Sequence, residues 1–207
     1  MNKINKYNGL VYDDESCSPE KRKKGLLLCD DLRMHSGIST MARELVLGTI
    51  HKYNWVQIAG SIQHPEKGKM INMDAATEQI TDVKESHVTL YPVDGYGNED
   101  LLFAIIEKEK PDFIMHFTDP RFWGWLYQVE RQIRSKIPLC YLNIWDCIPY
   151  PMYNRPFYES CDLLMSISKQ TYNINKWVLG VDRSFTMNGE FDEDGKLILS
   201  NDTNKNE

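Results

Sequence analysis

The most informative segment is PLCYLNIWDCIPYPMYNRPFYESCDLLMSIS, residues 138–168, in which two apolar runs each end abruptly in polar residues. A loop rich in Pro, Tyr and Asn separates the two runs. In open α/β sheets, ligands bind in the crevice outside the carboxyl ends of the strands. We therefore expect Asp146, residues 148–155 and residues 166–168 to lie at such a crevice.

Outward from this segment, apolar runs alternate with helical patterns. Strands that are apolar on both faces predict a doubly wound α/β fold, a mainly parallel sheet with helices on both faces. The expected domains are a lead-in at 1–24, an α/β domain at 25–187 and an acidic hairpin or tail at 188–207. The predicted strands are 25–32, 55–61, 88–93, 112–117, 138–145 and 163–167. The predicted helices are 38–52, 98–110, 119–134, a short turn at 156–160 and 168–179, and 77–83 is ambiguous.

Size and charge narrow the class of protein. The 207 residues suffice for one large domain with a substantial core. A formal net charge of −6 gives no overall attraction to nucleic acid. No apolar run approaches the roughly 18 residues of a membrane helix, and Met1 to Glu15 lack the apolar core of a signal peptide. We expect a cytoplasmic protein with no membrane span.

The five cysteines include no CxxC pair, and any full disulfide scheme leaves one of them unpaired. This pattern argues against a zinc knuckle and against a secreted disulfide framework. The simpler interpretation is that they are small buried apolar residues in a reducing compartment. The sequence accordingly predicts no metal site built from cysteine.

The segment HSGIST, residues 35–40, joins the first strand to the first helix. Free N–H groups at a helix start suit a phosphate, and Gly37 lets the backbone approach a ligand closely. Neither a GxGxxG nor a GxxxxGK[ST] pattern is present, so a standard dinucleotide site or P-loop is not predicted. A turn glycine beside a serine cap explains the segment equally well.

Carboxylates at strand ends offer two further kinds of site. Asp30 and Asp31 could together hold Mg²⁺, as the paired acids of response-regulator receiver domains do, although no suitable lysine follows a later strand. His116 lies in the last residues of a predicted strand, Asp119 just beyond it, and Asp146 after the next strand, so the three are expected to converge at one sheet edge. A histidine in an apolar strand is often simply packed in the core, but convergence with two carboxylates favours a role in binding or proton transfer.

Aromatic residues are dense around the same edge. Aromatic faces suit sugar rings or bases, and they also fill cores. Trp123 and Trp125 are two apart in a predicted helix, so at most one is expected to line a cleft. The other aromatic residues of this region are Phe122, Tyr150, Tyr153, Phe157 and Tyr158.

Four segments in order, HSGIST, DFIMHFTDP, PLCYLNIWDCIPY and CDLLMSISKQTY, resemble the N-terminal, acceptor-side Rossmann-like domain of GT-B glycosyltransferases of the retaining, family-four type. The resemblance spans residues 25–180. It implies a nucleotide-sugar donor as substrate, no tightly bound cofactor and no metal. In this family Ser36, Gly37, Ile38 and Ser39 would approach the donor.

The resemblance also implies roles at the other strand ends. His116 would contact the transferred sugar, and Asp119 and Asp146 complete the candidate catalytic set. The candidate acceptor-binding residues are Tyr150, Tyr153, Asn154, Arg155 and Trp123.

Two departures from the family qualify this expectation. The family's loop commonly has more than one glycine, whereas only Gly37 stands between His35 and Ile38. These enzymes also carry a second Rossmann-like domain that binds most of the nucleotide sugar, and here only the acidic segment follows residues 180–182. A transferase of this kind would need a separate donor-binding chain or self-association. The alternative is a noncatalytic α/β module that binds a nucleotide or a protein.

Overall fold

The computed structural model describes residues 17–61 and 63–180, together with two short strands near the C-terminus. Most of the predicted lead-in at 1–24 and of the acidic tail at 188–207 lies outside the described residues. The strands are β1 Lys23–Asp30, β2 Tyr53–Ser61, β3 Ile71–Asn72, β4 Val88–Asp94, β5 Phe113–His116, β6 Leu139–Asn143, β7 Leu163–Ser166, β8 Glu190–Phe191 and β9 Leu197–Ile198. The helices are α1 Gly37–Thr49, α2 Asp74–Thr81, α3 Glu99–Glu109, α4 Gly124–Gln128, α5 Glu130–Arg134, α6 Arg155–Glu159 and α7 Lys169–Leu179.

Seven strands form one sheet in the order β3-β4-β2-β1-β5-β6-β7, and β8 pairs with β9 in a separate antiparallel ladder. Every neighbouring pair in the large sheet is parallel except β3 with β4. Without β3, the six parallel strands have the 3-2-1-4-5-6 order of doubly wound folds. The predicted α/β fold class is confirmed, and the two-residue strand β3 is an element that the sequence did not predict.

Strand β1 shows why helices cover both faces of the sheet. Leu26 and Leu28 pack on one face among residues of α3, α4 and α5, whereas Leu27 and Cys29 pack on the other among residues of α1. All four side chains are fully buried. Since successive residues of a strand face opposite sides, a continuous apolar run requires two covering layers.

Gly25 lies at the start of β1, directly opposite Trp55 of β2 and Phe113 of β5. The two rings meet edge to face, with centroids 5.6 Å apart. A Cβ atom at Gly25 would lie 2.6 Å from the Phe113 ring and 2.7 Å from the Trp55 ring. A glycine is therefore needed here because the rings occupy the space of a side chain.

The segment 119–134 corrects the prediction of one continuous helix. It forms a 3-10 turn at Pro120–Trp123 and then α4 and α5, which are separated at Val129, where φ is −106° and ψ is 9°. Because the segment is broken, Trp123 turns into the core while remaining 5.6 Å from Trp125, measured between ring centroids. Trp123 is fully buried, in keeping with the expectation that at most one of the two indoles lines a cleft.

Candidate functional site

The strand order places a ligand crevice between β1 and β5. From β1 the chain crosses to β2 on one side, and from β5 it crosses to β6 on the other. The loops that leave these two strands, residues 31–36 and 117–123, therefore diverge at the carboxyl edge. Such a switch point is the usual ligand site of open α/β sheets.

The start of α1 faces this switch point. Ser36 caps the helix, since its hydroxyl accepts a hydrogen bond from the Ser39 N–H at 3.0 Å. Within the described residues, the N–H groups of Gly37 and Ile38 have no hydrogen-bond acceptor. Apart from its two chain neighbours and the backbone of α1, no atom lies within 4 Å of the place of a Cβ at Gly37. The helix start thus presents two free donors to open space, with the positive end of the helix dipole behind them.

Two adjacent carboxylates at the end of β1 have opposite environments. Asp30 is half-buried beside the Ser36 hydroxyl, 3.4 Å from Oδ2, and the Tyr96 hydroxyl, and burial raises its pKa above the usual range. Asp31 is buried, which alone would raise its pKa, but hydrogen bonds from Arg33 and His64 outweigh burial and lower it. Adjacent acids with opposed pKa shifts are a pattern found at functional sites.

Asp31 belongs to a network that joins three loops. Its carboxylate accepts hydrogen bonds from the Arg33 guanidinium, the closest at 2.6 Å, and lies 2.9 Å from His64 Nε2. Arg33 also contacts Glu66 at 2.7 Å, and the Glu66 N–H donates to His64 Nδ1. The backbone N–H of His64 donates to Asp94 at 2.6 Å. The loops after β1, β2 and β4 are therefore held together by charge.

This network corrects the Mg²⁺ interpretation of Asp30 and Asp31. The carboxylate of Asp31 is occupied by Arg33 and His64, so the two acids do not share one open site. In the described part of the chain, no group of three His, Cys, Asp or Glu side chains could hold a metal ion.

His116 lies in the core at the end of β5. Its ring is fully buried and stacks on Tyr141, with centroids 4.9 Å apart. Nδ1 lies 2.8 Å from the Tyr127 hydroxyl, and Nε2 has no hydrogen-bond partner. Burial lowers the pKa of His116 to about 3, so the ring is neutral near pH 7. Contact with a sugar would require the surrounding Trp123, Tyr127 and Tyr141 side chains to move.

The two other candidate catalytic residues lie nearer the surface. Asp119 caps the turn after β5 and holds Arg121. Asp146 is exposed after β6, where its carboxylate accepts a hydrogen bond from Cys147 at 3.1 Å. Among the residues that the structure describes, no hydrogen bond connects Asp119, Asp146 and His116. The three residues lie at one sheet edge, but they do not form a hydrogen-bonded triad.

The candidate acceptor residues divide by exposure. Tyr153 is 56% exposed. The Tyr150 and Trp177 rings pack with their centroids 4.1 Å apart. On the surface, Arg155 Nε donates a hydrogen bond to the Glu159 carboxylate at 2.7 Å. The two remaining candidates are fully buried, and they are Trp123 and Asn154.

Sequence reasoning did not single out Arg121 or Trp145, which form an aromatic corner with Tyr153. The Trp145 and Tyr153 rings meet at 79°, with centroids 5.9 Å apart. The Arg121 guanidinium lies 5.6 Å from the Tyr153 centroid and 6.0 Å from that of Trp145. The Asp-Pro-Arg sequence signalled the cap at Asp119, but not the contact across two loops.

A second aromatic pair bridges the crevice. The Tyr96 ring stacks on Phe122, with centroids 5.3 Å apart and planes 8° from parallel. Tyr96 also packs over Gly60, where a Cβ would lie 2.8 Å from the ring. Phe122 remains 57% exposed. The turn DGYGN, with glycines on both sides of Tyr96, was the only signal of this contact in the sequence.

A scan against protein-family models, a search of curated proteins and a search of solved structures each return no match for this chain. Among the described residues, no helix is both long enough and apolar enough to cross a membrane. The case for a function therefore depends on the geometry of the crevice.

Proposed function

We propose that this chain is the acceptor-side half of a retaining, nucleotide-sugar-dependent glycosyltransferase of the GT-B type. The observation that carries the proposal is the pair of free N–H groups at Gly37 and Ile38, which follow Ser36, the neighbour of Asp30, at the switch point between β1 and β5. Helix N-terminal N–H groups at such a position suit the phosphate of a nucleotide.

Each group has a role in this proposal. The N–H groups of Gly37 and Ile38 would stabilise charge on the leaving diphosphate as it develops. Asp30, whose pKa is raised by burial, would bind a sugar hydroxyl. The exposed side chains after β5 and β6 would receive the acceptor. The remaining phosphate ligands would come from a second domain, as the family resemblance implies.

The apolar character of the carboxyl edge supports the need for a second polypeptide. Large exposed apolar surfaces commonly mark interaction sites. The covering polypeptide would be a donor-binding chain or a second copy of this one. Loops and turns that follow the strands expose six large apolar side chains, Met34, Phe122, Ile148, Met152, Tyr153 and Ile167.

Isothermal titration of the chain with UDP-glucose, GDP-mannose and ADP-glucose tests the proposal, with and without Mg²⁺. Gly37→Val should abolish binding, because the side chain would fill the open space in front of the free N–H groups. Gly48→Val is the matched control, since Gly48 also lies in α1 and also has no atom within 4 Å of a Cβ. Binding should survive in that variant.

Two results would count against the proposal. If no nucleotide sugar binds, the noncatalytic module that binds a protein becomes the better explanation of the apolar edge. If both valine variants lose binding equally, the loss reports damage to α1 and not a phosphate site. His116→Ala is a poor probe here, because the ring is a packed part of the core.

A further inference from the structure

The outer edge of the sheet carries a cavity that is separate from the switch point. β3 pairs with only two residues of β4. Beyond β3, residues 67–70 are held against β4 by a hydrogen bond from the Gly68 N–H to the Pro92 carbonyl oxygen at 3.1 Å. This segment, the end of β4 and one side of α3 enclose about 540 Å³, a volume typical of small-molecule sites. β4 lies two strands away from β1, and the cavity includes neither Asp30 nor the start of α1.

The lining of this cavity is positively charged, although the chain as a whole carries a net charge of −6. Three lysines, Lys67, Lys69 and Lys108, and one acid, Asp94, line it, which gives a net charge of +2. Asp94 is paired with Lys67. The excess positive charge therefore belongs to the two other lysines.

Lys69 and Lys108 have no acidic partner in the part of the chain that the structure describes. The Lys69 side chain makes no hydrogen bond or ion pair there. The Lys108 ammonium lies 5.1 Å from the centroid of the Tyr91 ring and 3.3 Å from Met70 Sδ. Glu109, its neighbour in the chain, pairs instead with Lys24 at 3.1 Å. The cavity thus holds two ammonium groups that a bound anion would neutralise.

The character of the other lining residues narrows the kind of anion. Tyr91 packs against the core and Lys108 lies over its ring, so this ring is not free to stack on a base. No arginine is among the described lining residues, so the fork of donors that suits a carboxylate is missing, whereas ammonium groups bind phosphate as point charges. The apolar lining residues are Met70, Tyr91, Pro92, Val93 and Leu101.

We propose that this cavity binds a small phosphate monoester with an aliphatic body. The phosphate carries a charge of about −1.5 to −2 near pH 7 and would pair with Lys69 and Lys108. The aliphatic part would contact Met70 and Leu101. This site does not depend on the proposed glycosyltransferase function, because it shares no residue with the phosphate site proposed at Gly37 and Ile38.

An NMR titration of the isotope-labelled chain with hexyl phosphate tests the inference. The backbone amide signals of Gly68 and Gly97 report on the site, since both residues line the cavity. We expect hexyl phosphate to shift these signals and to bind roughly tenfold more tightly than inorganic phosphate or hexanol, because each of these offers only one half of the contacts. AMP, a phosphate monoester with a base, should bind more weakly than hexyl phosphate.

Substitution of the two unpaired lysines locates the phosphate. Both side chains are exposed, so Lys69→Gln and Lys108→Gln should fold normally. Each should weaken the binding of hexyl phosphate roughly fivefold, the effect of one solvent-exposed ion pair. Lys176→Gln is the matched control, because the Lys176 ammonium also lies over a tyrosine ring, 5.9 Å from the Tyr172 centroid, but in α7 beside β7, at the other end of the sheet. That variant should bind as the unmodified chain does.

Four results would overturn the inference. Hexyl phosphate that binds no more tightly than inorganic phosphate would remove the aliphatic contact, and tighter binding of AMP would show that the site takes a base. Equal losses in Lys69→Gln, Lys108→Gln and Lys176→Gln would mean general attraction to surface charge. Binding that Gly37→Val weakens and the lysine variants leave unchanged would place the ligand at the start of α1. The last result would support the phosphate site of the proposed function while refuting this one.

Discussion

Two Asp-x-Arg turns flank the switch point, Asp31 to Arg33 after β1 and Asp119 to Arg121 after β5. In both, the backbone N–H of the arginine donates to the aspartate, at 2.8 Å and 3.0 Å, and the guanidinium returns to the same carboxylate. The surroundings differ. The Asp31 side chain is 1% exposed and also meets His64, whereas that of Asp119 is 24% exposed beside open aromatic rings.

The same Asp-x-Arg turn therefore serves two purposes, depending on how deeply its aspartate is buried. The turn after β1 is structural, because its aspartate is buried and bonded to both Arg33 and His64. The turn after β5 leaves its charges accessible at the edge of the crevice.

The largest effect is expected from breaking the buried turn. Asp31→Asn removes the charge that compensates Arg33 and places an amide N–H₂ against two donors, so the free energy of unfolding should fall by about 3 kcal/mol. Urea denaturation measures the change. An unaltered midpoint would mean that the network after β1 contributes nothing to stability.

Gly60 lies under the ring of Tyr96, which stacks on Phe122 in the turn after β5. In Gly60→Ala the new Cβ would lie 2.8 Å from that ring and 3.0 Å from the Gly95 carbonyl oxygen. Displacing them should cost about 2 kcal/mol of unfolding free energy. Gly48→Ala, in open space on α1, is the control and should be neutral or slightly stabilising.

The buried ring of His116, at the end of β5, should make the stability of the protein depend on pH. Burial lowers the pKa of His116 from 6.5 to about 3, so the unfolded chain binds a proton between these values that the folded chain does not. Stability should therefore fall as the pH falls below 6.5, by about 1.4 kcal/mol per pH unit from this group.

Replacing the titrating ring isolates this contribution. In His116→Gln, thermal or urea unfolding between pH 4 and 6.5 should show a shallower slope than in the unmodified chain. Parallel slopes in the two proteins would show that the buried ring is protonated in the folded state. Asp31, in the buried turn, contributes in a separate pH range. Because its pKa is lowered on folding, its contribution to stability is lost only as the pH falls below 3.8.

The smallest effect on stability is expected at the exposed turn. Asp119→Asn should reduce the free energy of unfolding by at most roughly a third of the loss in Asp31→Asn, because solvent already screens the pair. If Asp119→Asn were as damaging as Asp31→Asn, the two turns would be equivalent and the comparison would fail. Urea denaturation of both variants in the same buffer decides between these outcomes.

Strand-level features were accessible from the sequence because they depend on local patterns. The caps at Asn98 and Ser168 and the apolar strands of the parallel sheet followed from composition and spacing. Strand β3 did not, because two residues carry no periodicity. The break at Val129 did not either, because no proline or glycine marks it in the sequence.

For the candidate site, the sequence predicted the location but not the geometry. The sequence placed residues 35–40 and the strand ends at one edge, but it could not show which of Asp30 and Asp31 faces the crevice. That choice depends on His64, which arrives from a different loop. The aromatic corner was hidden for the same reason, since Arg121 and Tyr153 meet only after folding.

The packing at Gly25 limits how this sequence can diverge among relatives. Its place opposite Trp55 and Phe113 ties three positions on three strands by steric necessity, since any side chain at the first would collide with the rings at the other two. Surface residues and loop lengths can diverge freely between descendants of one ancestor, but a side chain at position 25 requires that the rings of Trp55 and Phe113 shrink or move. In a relative with a larger residue in place of Gly25, we therefore expect smaller residues in place of Trp55 and Phe113.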